Sequence, residues 1–123
     1  MTTDTEFFDC FLAAVRMKTP EIFGTGFHNA FIGSLKVVRK EYPNFGDFDV
    51  EYDPLYGRSA WLSKQMAYAL RDLKISRNFL ASRTEIQISK PETDVILSQI
   101  DPETRKKFEF LAEEFLRIMA KNH

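Results

Sequence analysis

Few side chains in this sequence carry the chemistry that catalysis needs. Two histidines supply the only imidazoles, a single cysteine supplies the only thiol, and no glycine-rich phosphate loop is present. His28 sits one position from Phe27 near the start of a helical pattern, and its imidazole is a candidate general base. A helix-surface or half-buried imidazole is the simpler reading. His123 ends the sequence. Cys10 lies inside the apolar run FFDCFLAAV, which suits a buried thiol better than a nucleophile paired with His28. Asp47, Asp49, Glu51 and Asp53 alternate along the chain, and a strand would set four carboxylates on one face, the oxygen set that a hard cation takes. The glycine and glutamate spacing of an EF-hand loop is absent. A solvated strand face explains these carboxylates without a metal, and a surface for a basic partner protein is the remaining option. On this inventory neither an enzyme nor a cofactor is expected.

Positive charge gives a stronger signal. The chain as a whole carries −1, but residues 58–90 carry +5, against −4 for residues 1–57 and −2 for residues 91–123. Within the basic segment Trp61, Lys64, Tyr68 and Arg71 recur at three- and four-residue spacing, which puts them on one stripe of a helix. On a duplex, Lys64 and Arg71 would neutralise phosphates, while Gln65 and Tyr68 would hydrogen-bond the backbone or base edges. Arg58 and Lys74 stand at the two ends of that helix, and Arg77 and Arg83 flank the loop that follows it. These eight residues form the candidate DNA-contact set. The competing reading packs Trp61 and Tyr68 against the terminal helices and leaves the cations as ordinary solvated charges.

The elements that must position this set are legible from periodicity. Leu62, Met66, Ala69, Leu70 and Leu73 give the central helix a core side, with Ser59 as its N-cap. After Ile75 the period becomes two: Thr84, Ile86 and Ile88 alternate with Arg83, Glu85 and Gln87. Upstream, Thr3 and Glu6 form a capping box for a helix running to about Met17. Pro20 breaks it, and EIFGTG reads as a loop. A second helix follows from Thr25 or Gly26 to Tyr42, with close packing expected at Gly33. Asp47–Tyr52 reads as a half-buried strand, and Asp53–Gly57 as a turn. Downstream, Ser89 with Pro91 and Asp101 with Pro102 mark two further helix starts, the last helix reaching about Ala120. Phe108, Phe110, Leu111, Phe115, Ile118 and Met119 contribute to an apolar arc on that helix wider than a one-sided surface helix requires. The arc belongs either to its own domain or to a homodimer interface.

At 123 residues with 44% hydrophobic residues and twelve Phe, the chain is one domain with ample core material. The lone cysteine fits a reducing compartment. No apolar run reaches membrane-spanning length, and the acidic, polar MTTDTE start is unlike a signal peptide, so a cytoplasmic protein without membrane contact is expected.

Taken together, residues 26–90 resemble a winged-helix domain: helix, short strand, tight turn, helix, basic loop, strand. The stretch FDVEYDPLYGRSAWLSKQMAYALRDLKIS is similar to the part of many small prokaryotic winged-helix proteins in which Tyr-x-x-x-Tyr-Gly precedes the helix. Those helices end in an apolar–Gly–apolar step, whereas this one ends in Leu73-Lys74-Ile75. The resemblance implies an α+β fold, mainly helical, with a winged-helix-like core at about 26–90, an added N-terminal helix at 4–17 and C-terminal helices within 91–120. It further implies a small non-enzymatic regulator that binds DNA as a dimer through the Ser59–Lys74 helix and the Ser76–Ser82 loop. The alternative is an antitoxin-, immunity- or phage-adaptor-like module that keeps the scaffold and binds a partner protein instead.

Overall fold

The computed structural model describes residues 3–78 and 82–122. The fold is α+β, with five helices, a three-stranded antiparallel sheet and a separate two-stranded ribbon among the described residues. In chain order the elements are α1 (Asp4–Arg16), β1 (Glu21–Phe23), α2 (Phe27–Glu41), β2 (Tyr52–Asp53), β3 (Arg58–Ser59), α3 (Ala60–Arg71), β4 (Ile75–Asn78), β5 (Arg83–Ile86), α4 (Lys90–Ser98) and α5 (Pro102–Lys121). The expected helix-then-ribbon layout is therefore present in α3, β4 and β5. No described helix is long and apolar enough to cross a membrane.

Local signals set most helix starts. The Thr3–Glu6 capping box forms in both directions, and Ser59, Ser89 and Asp101 each accept a backbone N–H of the first turn they cap. The end of α3 is sharp although no glycine is there. Lys74 N–H reaches the Ala69 carbonyl at 2.8 Å and Leu73 N–H reaches that of Leu70 at 3.2 Å, the paired bonds of a Schellman motif. Leu73 takes the left-handed position at φ 58 that glycine usually fills. A branched L-residue there costs about 1–2 kcal/mol.

Three sequence expectations change. EIF is not loop but β1, paired with β5 so that Ile22 faces Thr84. The three-stranded order is β1-β5-β4, and Ile22, Ile75, Thr84 and Ile86 make its buried face. Asp47–Tyr52 is not a strand. Its burial does alternate as expected, yet only Tyr52 and Asp53 pair, with Ser59 and Arg58. The Arg39 guanidinium instead gathers the carbonyls of Phe45, Gly46 and Phe48 just upstream, which fixes a loop where a ladder would otherwise form. The third change concerns α1, which is no appendage. Phe8, Phe11, Leu12, Ala13, Ala14 and Val15 are all at most 1% exposed, and α1 packs against α3, α4 and α5.

The wide arc of α5 is explained in the same way, because α5 lies against both α1 and α2. Phe108, Leu111, Phe115 and Met119 are buried within the monomer, and Phe110 and Ile118 pack at the edge of the same core. Of these six candidate dimer-interface residues, Phe108, Leu111, Phe115 and Met119 are sealed inside the monomer and cannot meet a second chain, whereas Phe110 and Ile118 are only partly covered. Close packing at Gly33 is found, since a Cβ there would meet the Ile118 Cδ1 at 3.2 Å.

Candidate nucleic-acid interface

Ser59 organises the start of α3. It is fully buried; its Oγ accepts the Leu62 N–H at 3.3 Å and donates to the Val50 carbonyl at 3.0 Å. Its own N–H donates to His28 Nδ1 at 3.0 Å. Nδ1 is therefore the unprotonated nitrogen, and the neutral ring carries its proton on Nε2. The Ser59 amide thus ties the first turn of α2 to the cap of α3, and its hydroxyl ties that cap to Val50.

His28 is also surrounded by positive charge. Burial, followed by the guanidinium fields of Arg58 and Arg77, lowers its pKa below the ordinary imidazole value of 6.5. Arg58 comes from β3, one residue before the cap, and Arg77 from β4. In the β4–β5 register Arg77 stands opposite Thr84, so it occupies the helix-facing side of the sheet beyond the edge of the core. Both arginines are exposed, and neither forms an ion pair among the described residues. Three segments distant in sequence thus place two guanidiniums beside the first turn of a helix, where backbone N–H groups already favour an anion.

The other nominated residues divide. Lys64 is exposed on α3 and lies over the Tyr68 ring at 5.9 Å; Arg71 covers the same ring at 4.9 Å while bonding Asp72 at 3.1 Å. Ala60, Ser63 and Ala67 share the outward side of α3 with them, so small side chains flank the cations. Lys74 is engaged elsewhere, in a 2.5 Å bridge to half-buried Asp9. Arg83 pairs with Glu21 at 3.3 Å and stacks on Phe23 at 4.2 Å. Gln65 is 3% exposed and cannot meet a duplex. Its spacing from Leu62 and Ala69 places it on the buried stripe, a placement the proximity to Lys64 obscured in sequence. Trp61 also leaves the proposed stripe: its ring stacks on Phe31 at 5.8 Å and Phe48 at 5.9 Å, and Nε1 donates to Asp4 at 2.7 Å. Of the Ser76–Ser82 loop, residues 79–81 lie outside the described residues.

Comparison with protein-family models, curated proteins and solved structures finds no match to this chain. Function must be read from its own geometry.

Cys10 and the acidic segment were the other chemical candidates. Burial, reinforced by Asp9 and Glu6, pushes the Cys10 thiol up to about 11, so almost none is thiolate near neutrality. Asp47, Asp49, Glu51 and Asp53 are exposed, and Asp49 and Asp53 accept backbone N–H groups two residues on. No cluster able to hold a metal occurs among the described residues. What sequence reasoning missed is the company His28 keeps: nothing in the primary structure links position 28 to positions 58 and 77.

Proposed function

We propose that this chain is a small non-enzymatic regulator that binds duplex DNA. The outward side of α3 enters the major groove, and the corner formed by the start of α2, Arg58 and Arg77 holds a backbone phosphate. The observation that carries this reading is the pair of exposed guanidiniums around a neutral, hydrogen-bonded His28, with no carboxylate bridging either of them among the described residues. Lys64 and the small residues Ala60, Ser63 and Ala67 give α3 a side that fits against a groove. Arg71 and Tyr68 extend the contact along the helix.

Duplex affinity measured against salt tests the proposal. The parent binds more weakly as salt rises, and an Arg58→Ala, Arg77→Ala double variant loses at least tenfold in affinity at low salt. Its log–log salt slope falls by about 1, for the one phosphate contact that the pair makes. Its thermal midpoint stays near that of the parent, because both side chains are exposed and form no ion pair among the described residues. No duplex binding at low salt, or a double variant indistinguishable from the parent, ends this reading and leaves the protein-interaction module in its place.

A further inference from the structure

Away from the α2–α3 corner, a cleft of about 770 Å³ opens between the start of α1, the end of α2, the loop at residues 42–48 and the start of α5. That volume suits a small organic ligand. Its floor is aromatic. Phe7 packs against Phe45 at 5.1 Å, Phe48 at 5.6 Å and Phe108 at 4.9 Å between ring centroids, and Tyr42 lines one side. Asp4, Glu41 and Asp47 supply the acidic groups of the lining, against the single cation Lys107. Lys107 already lies over the Tyr42 ring at 4.9 Å, so one aromatic face of the cleft is occupied by a cation of the chain itself.

The wall is built rather than loosely draped. Arg39 bonds the carbonyls of Phe45, Gly46 and Phe48, and burial lowers its pKa without removing its charge. Gly46 adopts φ +62 and passes so close to Phe7 that a Cβ would stand 2.7 Å from the ring. A rigid loop thus holds the Phe45 and Phe48 rings beside Asp47, with little ordering left for a ligand to bring about.

We propose that this cleft binds a small hydrophobic cation, an aromatic or alkyl group bearing a permanent or protonated onium charge. Ring faces attract such a charge, and Asp4, Glu41 and Asp47 against Lys107 and the Arg39 of the wall leave a net negative charge that sets its sign. An anion of the same shape meets the same apolar floor and an adverse field. The site is independent of the DNA reading, since it shares no residue with the α2–α3 corner.

Two probes of nearly identical shape and opposite charge test this: tetraphenylphosphonium and tetraphenylborate. Trp61 serves as the reporter, being the only tryptophan, stacked on Phe48 and bonded to Asp4. The parent binds the phosphonium at least tenfold more tightly than the borate, with a saturable change in tryptophan fluorescence. A Glu41→Gln, Asp47→Asn double variant removes carboxylates that are exposed on the rim, keeps the far-ultraviolet circular dichroism of the parent, and loses most of that preference. Lys107→Met strengthens phosphonium binding severalfold. Equal affinity for the two probes overturns the proposal, as does the absence of saturable binding. A cation preference that survives unchanged in the double variant also overturns it, by placing the site elsewhere.

Discussion

The two ends of α3 carry cations in different states. At the N-terminal end Arg58 and Arg77 stand in solvent around His28 and bridge no carboxylate among the described residues. At the C-terminal end Arg71 bonds Asp72, and Lys74 reaches back to Asp9 on α1. Charge count alone does not separate these groups, since both contribute to the same +5 segment. The difference lies in what the fold has already used: Lys74 holds α3 to α1, whereas Arg58 and Arg77 remain available to an anion. Substituting Lys74 should change stability, and substituting Arg58 or Arg77 should change binding.

The largest effect is expected at Ser59. Ser59→Ala removes the α3 cap and leaves the Val50 carbonyl without its hydroxyl donor, which should cost about 2–3 kcal/mol in denaturant unfolding. It should also weaken duplex binding by disordering the corner; a loss under about 0.5 kcal/mol would mean that Ser59 does not organise this end. Lys74→Met comes next. The bridge is partly exposed, so solvent screens it, and about 1 kcal/mol of stability is expected to go with little change in duplex affinity. An equally large loss of duplex affinity would move Lys74 into the contact set and erase the contrast between the two ends. The smallest effect has the opposite sign. Leu73 is 78% exposed at φ 58, so Leu73→Gly relieves strain while losing little packing. After the added unfolded-state entropy, a gain of about 0.5–1 kcal/mol is expected in the thermal or chemical midpoint. A destabilised glycine variant would show that the left-handed turn is not strained.

Much of this fold was legible because its signals are local. Thr3, Ser59, Ser89 and Asp101 announce helix starts within four residues of themselves, and all four caps form. Signals that depend on a distant partner were not legible. A strand as short as Glu21–Phe23 exists only because β5 presents its edge more than fifty residues later. The 47–52 segment alternates in burial as a strand does, but it lacks a neighbouring strand over most of its length, and Arg39 draws the adjoining carbonyls into a loop. The arc on α5 permitted two partners, and the packing of α1 and α2 accounts for Phe108, Leu111, Phe115 and Met119. For the candidate interface, periodicity found Lys64, Tyr68 and Arg71 as neighbours and nominated Arg58 and Arg77. It did not bring either of the last two to His28. Gln65 shows the limit of adjacency, since one residue along a helix turns a side chain by about 100°, here from solvent into the core.

The titration of His28 tests the central claim most directly. In the free protein its lowered pKa means that the unfolded chain takes up the proton first as pH falls. This group's contribution to stability is therefore intact above about pH 6.5 and declines below it, until the folded imidazole also protonates. A phosphate seated between Arg58 and Arg77 would offset the two fields that disfavour His28⁺. Imidazole resonances followed by NMR across pH, and assigned with a His28→Gln variant, should give a pKa below 6.5 for the free protein and a higher value when duplex DNA is added at low salt. By linkage, duplex affinity should then rise as pH falls through that interval. A His28 pKa unmoved by bound duplex would contradict the account, because DNA would then be held somewhere other than this corner.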